Sequence, residues 1–306
     1  LSLTAANGRF RLQFAAMRRL LIIGCGDVAQ RALPLLRPRY RIYTLTRSRG
    51  QVKAMRAQGL IPIVGDLDDP ETLHGLAGLA HDVLHCAPPP LHGTRDTRTA
   101  HLIAALAKAK SLPQHLVYIS TSGVYGNCDG AWVDETHPLR PETARAQRRV
   151  DAERRLRDWG RRSGVRISVL RAPGIYSAER LPLQRLREGT PALQADEDAY
   201  TNHVHADDLA RMAVAALSFG APGRLYNASD DSALKMGDYF DLVADRFGLP
   251  RPPRVSRAEA AQRISPQLLS FMNESRRLTN RRIKRELRFK LRYPTVGDGI
   301  AATDRG

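Results

Sequence analysis

A chain of 306 residues, 42% of them hydrophobic, is long enough to bury a substantial core as one α/β domain or as one domain with a small lobe. No apolar run approaches a membrane span, and three cysteines without metal-ligand spacing argue for a reducing cytoplasm rather than a disulfide framework or a metal site. The net charge of +17 invites a nucleic-acid partner, but the excess is arginine, and the basic runs Arg276-Arg277 and Arg281 to Arg285 alternate with apolar residues as the wet face of a helix does; no membrane and no nucleic-acid partner is expected.

Residues 1 to 16 precede the first methionine, Met17, and read as an upstream extension without the apolar stretch and cleavage site of a secretory signal. The first buried run, Leu20 to Ile23, passes through Gly24-Cys25-Gly26-Asp27-Val28-Ala29 into a helical pattern from Val28 to Leu36. The glycine spacing suits a dinucleotide-binding turn. Gly24 lets the chain turn tightly, Gly26 lets backbone approach a pyrophosphate, and Ala29 lets the helix pack close to the strand. Phosphates would then sit on the helix N-terminus, where unpaired N–H groups favour negative charge. Cys25 in this turn reads as a small filler rather than a nucleophile.

A second strand, Ile42 to Leu45, runs into Arg47-Ser48-Arg49, where an NAD site would carry a carboxylate for the ribose hydroxyls. Arg47 with Ser48 instead suits a 2′-phosphate, which favours NADP(H), with NAD(H) as the alternative. Solvated charge is the competing reading of Arg47 and Arg49.

The alternation continues with a helix over Gln51 to Ala57, strands at Ile61 to Val64 and Val83 to Cys86, a helix over Thr97 to Ala109 and a strand at Leu116 to Ile119. A helix over Ala144 to Arg162, a strand at Val165 to Leu170 and a helix over Ala206 to Leu217 complete it. This order predicts an α/β fold, a Rossmann-type doubly wound parallel sheet with a small C-terminal substrate lobe. The cofactor-binding domain is expected over residues 17–180, with 202–228 returning to it, and the lobe over 181–201 and 229–306.

Further strings accompany the glycine turn: Gly65-Asp66-Leu67, His85-Cys86-Ala87-Pro88-Pro89, Ser120-Thr121-Ser122-Gly123-Val124-Tyr125-Gly126, Arg171-Ala172-Pro173-Gly174-Ile175-Tyr176 and His205-Ala206-Asp207-Asp208-Leu209. In this order they resemble the short-chain dehydrogenase/reductase superfamily, in its extended or atypical epimerase/dehydratase-like branch. The resemblance implies that Asp66 and Leu67 contact the adenine, that Ala87 and Pro88 pass the ribose, and that Pro173 and Gly174 line the nicotinamide pocket. It implies that Thr121 binds the reacting oxygen of a small polar substrate, a sugar or nucleotide-sugar derivative among the options.

The family's proton carrier is a tyrosine in a Tyr-x-x-x-Lys motif. Placed by the trailing Glu153, its two positions fall on Arg145 and Arg149. Arg149 can hold ribose hydroxyls or a phosphate as a fixed cation, but arginine is a poor acid or base. The proton must then come from elsewhere, with Tyr125, Tyr176 and His203 the candidates by location and Tyr125 kept beside Thr121 in the catalytic set. His205 and Asp207 read as backbone-orienting and helix-capping residues. Two functional classes lead, an NAD(P)-dependent oxidoreductase or epimerase/dehydratase-like enzyme and a non-catalytic NADP(H)-binding sensor or regulatory protein, with nucleic-acid binding by the basic C-terminal region the less favoured third. A homodimer formed partly by the helices over Thr97 to Ala109 and Ala144 to Arg162 would fit the resemblance.

Overall fold

The computed structural model describes residues 17–265, 269–270 and 272–302. The expected extension over residues 1 to 16 lies outside them. Strand β1 (Arg18–Ile23) has its last four residues buried. Leu20 and Ile22 join the apolar cluster on one face of the sheet, and Leu21 and Ile23 join the cluster on the other. That alternation is the period-two geometry of a strand covered on both sides, and it explains why the run contains no polar residue.

Helix α1 (Asp27–Leu36) follows the glycine turn and buries Ala29, Ala32, Leu33 and Leu36. Strands β2 (Tyr40–Thr46), β3 (Ile61–Val64), β4 (Asp82–His85) and β5 (His115–Thr121) come next, with helices α2 (Val52–Ala57) and α3 (Thr97–Ala107) between them. After the short strand β6 (Trp132–Val133), helix α4 (Ala144–Ser163) leads into β7 (Arg166–Ala172) and β8 (Gly174–Tyr176). Thr143 caps α4 at its N-terminus, and Gly164 closes it in the left-handed conformation. Between β3 and β4 the connection is a 3-10 segment, Pro70–Leu76, rather than an α-helix.

The remaining elements are α5 (Leu183–Arg187), β9 (Ala192–Leu193), β10 (Tyr200–Thr201), β11 (His203–His205), α6 (Ala206–Phe219), β12 (Arg224–Asn227), β13 (Leu234–Lys235), α7 (Met236–Arg246), β14 (Arg254–Val255), α8 (Arg257–Arg263) and β15 (Arg277–Leu278). The short helices Arg281–Glu286 and Val296–Ala301 end the described chain.

Seven strands form one parallel sheet in the order β12-β7-β5-β4-β1-β2-β3. The chain winds outward from β1 to β3, then returns to β4 and winds the other way. The reversal between β1 and β4 opens a crevice at their carboxyl ends, where ligands of such sheets bind. Helices α1 and α6 cover one face, and α3 and α4 the other. A third apolar cluster joins Tyr176, Leu186, Tyr239, Phe240, Val243 and Ile300 around α5 and α7. Among the described residues no helix is long and apolar enough to cross a membrane.

The basic stretch near residue 280 differs from its sequence reading. Arg276 is buried and pairs with Glu274 at 3.0 Å, Arg282 pairs with the buried Glu135 at 3.4 Å, and Lys284 pairs with Asp231. Arg282 reaches inward to a carboxylate from a distant segment, Arg276 turns back to a carboxylate two residues away, and Lys284 meets Asp231 nearer the surface, pairings that no helical periodicity displays.

Candidate functional site

Gly24 has φ +85°, and a Cβ there would stand 2.6 Å from the backbone nitrogen of Ala87. The turn after β1 therefore touches the exit of β4 without room for a side chain. A Cβ on Gly26 would meet nothing within 4 Å, because that position faces the open crevice. Asp27 opens α1, yet its carboxylate is held by Arg31 at 2.6 Å and Arg180 at 3.3 Å. Its charge is thereby balanced at a helix end that attracts anions.

Three adjoining cavities extend from this turn. The first, toward β2, is lined by Gly24, Cys25, Arg47, Asp66, Leu67, Ala87 and Pro88, with Thr46, Gln51, Met55 and Arg98. Arg98 closes part of its wall, pairing with Asp68 at 2.6 Å and donating to the carbonyls of Pro88 and Pro89. The carboxylate of Asp66 also accepts from the Asp68 N–H at 3.0 Å, so it holds its own turn while facing the cavity. Ser48 lies on the exposed rim outside this wall, where its N–H donates to Thr46 Oγ1.

The second cavity contains Gly24, Gly26, Asp27, Val28, Ala29, Cys86, Pro88, Thr121, Arg149 and Pro173. Burial pushes the Cys86 thiol up to about 12 and the Cys25 thiol upward as well, so neither is a ready thiolate. Arg149 donates one nitrogen to both the Tyr118 hydroxyl and the Ile119 carbonyl, at 2.9 Å each. This fixes its guanidinium at the border with the third cavity.

That third, outer cavity, of about 550 Å³, lies between the sheet edge and the segments around α5 and α7. Thr121, Gly174, Tyr176, His203, Tyr239 and Glu274 face it, together with Arg145, Arg148, Arg149, Arg180, Arg185 and Arg276. Thr121 Oγ1 accepts from the Gly123 N–H at 3.2 Å, which orients the hydroxyl and leaves its proton to donate. The Arg145 guanidinium is shifted downward by burial, against which the negative charge of Glu274 acts. Burial also lowers Arg185 to about 10.

Tyr125 needs correction as a catalytic candidate. Its side chain is fully buried beneath the floor of the crevice, donating to Asn227 Oδ1 at 2.7 Å and accepting from Arg171 at 2.9 Å. Burial raises its phenol to about 12 despite the nearby cation, and it does not line the outer cavity. Tyr176 does line it, but its hydroxyl donates to the Thr295 carbonyl at 3.3 Å, and burial raises its pKa. His203 is 4% exposed and held neutral, its pKa pushed down to about 4 by burial. Its ring lies 4.3 Å from that of Tyr239. His205 caps α6 by accepting from the Asp207 N–H, and Asp207 pairs with Arg31 at 2.6 Å.

Sequence reasoning missed Arg98, Tyr239, Glu274 and the roles of Arg148, Arg185 and Arg276. Arg148 lies in α4 between the two motif positions, where the motif gives it no role; the others come from segments without motifs, and distance along the chain hid their convergence.

The NAD dependent epimerase/dehydratase family model matches residues 29–229. Similar solved structures include a functionally unknown conserved protein from Silicibacter pomeroyi DSS, 30% identical over 94% of this chain and 99% of that one, with TM-score 0.78. They also include a dTDP-glucose 4,6-dehydratase double mutant from Streptomyces venezuelae with NAD and DAU bound, 23% identical over 94% and 96%, with TM-score 0.74. A UDP-glucose 4-epimerase from Thermotoga maritima is 18% identical over 94% and 97%, with TM-score 0.75. No curated protein matches the chain.

Proposed function

Because the chain belongs to the NAD dependent epimerase/dehydratase family, we propose that it is an NADP(H)-dependent oxidoreductase or epimerase-like enzyme acting on a small polar substrate. The observation that carries this reading is the contiguity of the three cavities, with Pro88 on the wall of all three. The open space over Gly26, the close turn at Gly24 and the N-terminus of α1 fit a pyrophosphate. Arg47 at the end of β2 would take the 2′-phosphate, Asp66 and Leu67 the adenine, and Arg149 the ribose. Pro173 and Gly174 would border the nicotinamide, which supplies hydride exchange when bound.

Thr121 would hold the reacting oxygen by donating its hydroxyl hydrogen. Arg145, Arg148, Arg185 and Arg276 around the outer cavity favour a substrate bearing phosphate or carboxylate, and a nucleotide-sugar fits that preference. The cofactor domain of residues 17–180 and a substrate lobe of residues 181–201 and 229–306 belong to the same reading. So do a cytoplasmic location, supported by three free thiols, and a homodimer through α3 and α4 that sedimentation of the full chain checks.

The experiment is a titration with NADPH, NADH, NADP⁺ and NAD⁺, read by nicotinamide fluorescence and thermal stabilisation. NADP(H) is expected to bind more tightly than NAD(H), with the preference reversed or erased in Arg47→Asp. Failure of all four to bind removes the enzyme reading. A second reading, a non-catalytic NADP(H) sensor, is favoured by one observation: α4 contains neither tyrosine nor lysine. Turnover of any carbonyl substrate by the bound cofactor eliminates it.

A further inference from the structure

We propose that Glu274 is the acid and base of this site, carrying the proton exchanged with the substrate oxygen that Thr121 holds. The assignment rests on the oxidoreductase reading above. Among the described residues lining the outer cavity, Glu274 is the sole carboxylate. A methyl group built on Gly123 would lie 3.6 Å from Thr121 Oγ1 and 3.7 Å from Glu274 Oε2, so both oxygens approach the same space above that glycine. Arg276 anchors the carboxylate, donating to Oε2 at 3.0 Å while a second of its nitrogens donates to the Gly126 carbonyl at 2.7 Å. The anchor also reaches β5's turn, which ties the position of Glu274 to that of Thr121.

Of the candidates named from the sequence, the two tyrosines are engaged otherwise, and His203, though on the cavity wall, is 4% exposed and kept neutral by burial. Tyr125 is buried beneath the floor, Tyr176 gives its hydrogen to Thr295, and arginine at positions 145 and 149 does not exchange protons near neutrality. A carboxylate beside a reacting hydroxyl does exchange them. In the oxidative direction the substrate O–H and C–H bonds break and a C=O bond forms. The proton passes to Glu274, the hydrogen with its electron pair passes to the oxidised nicotinamide, and Glu274 returns its proton to water at the cleft mouth. Reduction runs the same steps backward.

The test compares wild type with Glu274→Gln and Glu274→Asp, the full chain in each case. The first readout is binding. Removing a negative charge that faces the reacting end should weaken NADP⁺, whose oxidised nicotinamide ring is cationic, relative to NADPH by about fivefold, while NADPH affinity stays within about twofold. The second is reduction of glyceraldehyde, aldohexoses and 2-oxo acids by NADPH, which should fall at least about 100-fold in Glu274→Gln and less in Glu274→Asp. An unchanged NADP⁺ to NADPH affinity ratio, or full turnover by Glu274→Gln, overturns the assignment and leaves the cofactor reading intact. Wild type that binds NADPH yet reduces no probe also overturns it. Wild type that binds no nicotinamide nucleotide fails the underlying reading instead.

Discussion

Arg171 and Glu153 form a fully buried ion pair beneath the crevice, with Arg171 Nη2 2.7 Å from Glu153 Oε2 and both side chains 2% exposed. Glu153 also accepts from Ser120 Oγ at 2.6 Å, and Arg171 also donates to the Tyr125 hydroxyl. The network therefore ties α4, β5 and β7 together directly under the Thr121 turn. Removing one partner leaves the other charge buried and uncompensated. Glu153→Gln is expected to cost about 3–5 kcal/mol, measured as a fall in the urea midpoint with an unchanged slope. A loss below about 1 kcal/mol would mean that water reaches Arg171.

Gly24→Ala meets two penalties at once: a left-handed φ of +85° and a contact of 2.6 Å with the Ala87 nitrogen. The backbone of β1's turn must move away from β4, across the floor of the proposed dinucleotide site. We expect NADPH affinity to fall by more than tenfold and stability by at least about 1 kcal/mol. Gly26→Ala separates these effects, since its Cβ meets no protein atom. It should weaken NADPH with little change in melting temperature, and equal losses of stability in both variants would contradict this division.

His203 predicts an acid sensitivity. Its pKa falls from the usual 6.5 to about 4 because burial disfavours the imidazolium. The folded state holds it neutral while the unfolded chain takes a proton below about 6.5. Its contribution is thus fully present above that pH and is lost as the pH falls toward 4, by roughly 3 kcal/mol at most. His203→Phe keeps a ring against Tyr239 and removes the titration, so the melting temperature of the variant should decline less between pH 6.5 and 4 than that of wild type. Parallel declines would place His203 in contact with solvent.

The main sheet was readable in the sequence because its signals are local. The apolar run from Leu20 to Ile23 fits a strand covered on both faces, and Gly24 tolerates a positive φ that a side chain resists. The same strings placed Arg47, Asp66, Ala87 and Pro88 around one cavity, since residues after parallel strands emerge at the same edge.

Tyr125 shows where such reasoning ends. It follows Thr121 by four residues, yet the 3-10 turn carries it downward, where Arg171 and Asn227 satisfy its hydroxyl. Glu274 shows the converse, lying about half the chain away from Thr121 in a segment without a motif. Local propensity and the succession of strands and helices were therefore determined by the sequence itself, through steric limits on each backbone position and the periodicity of buried side chains. Which charges face the outer cavity was decided only by tertiary structure, because the direction and pairing of a long side chain depend on the segments packed around it.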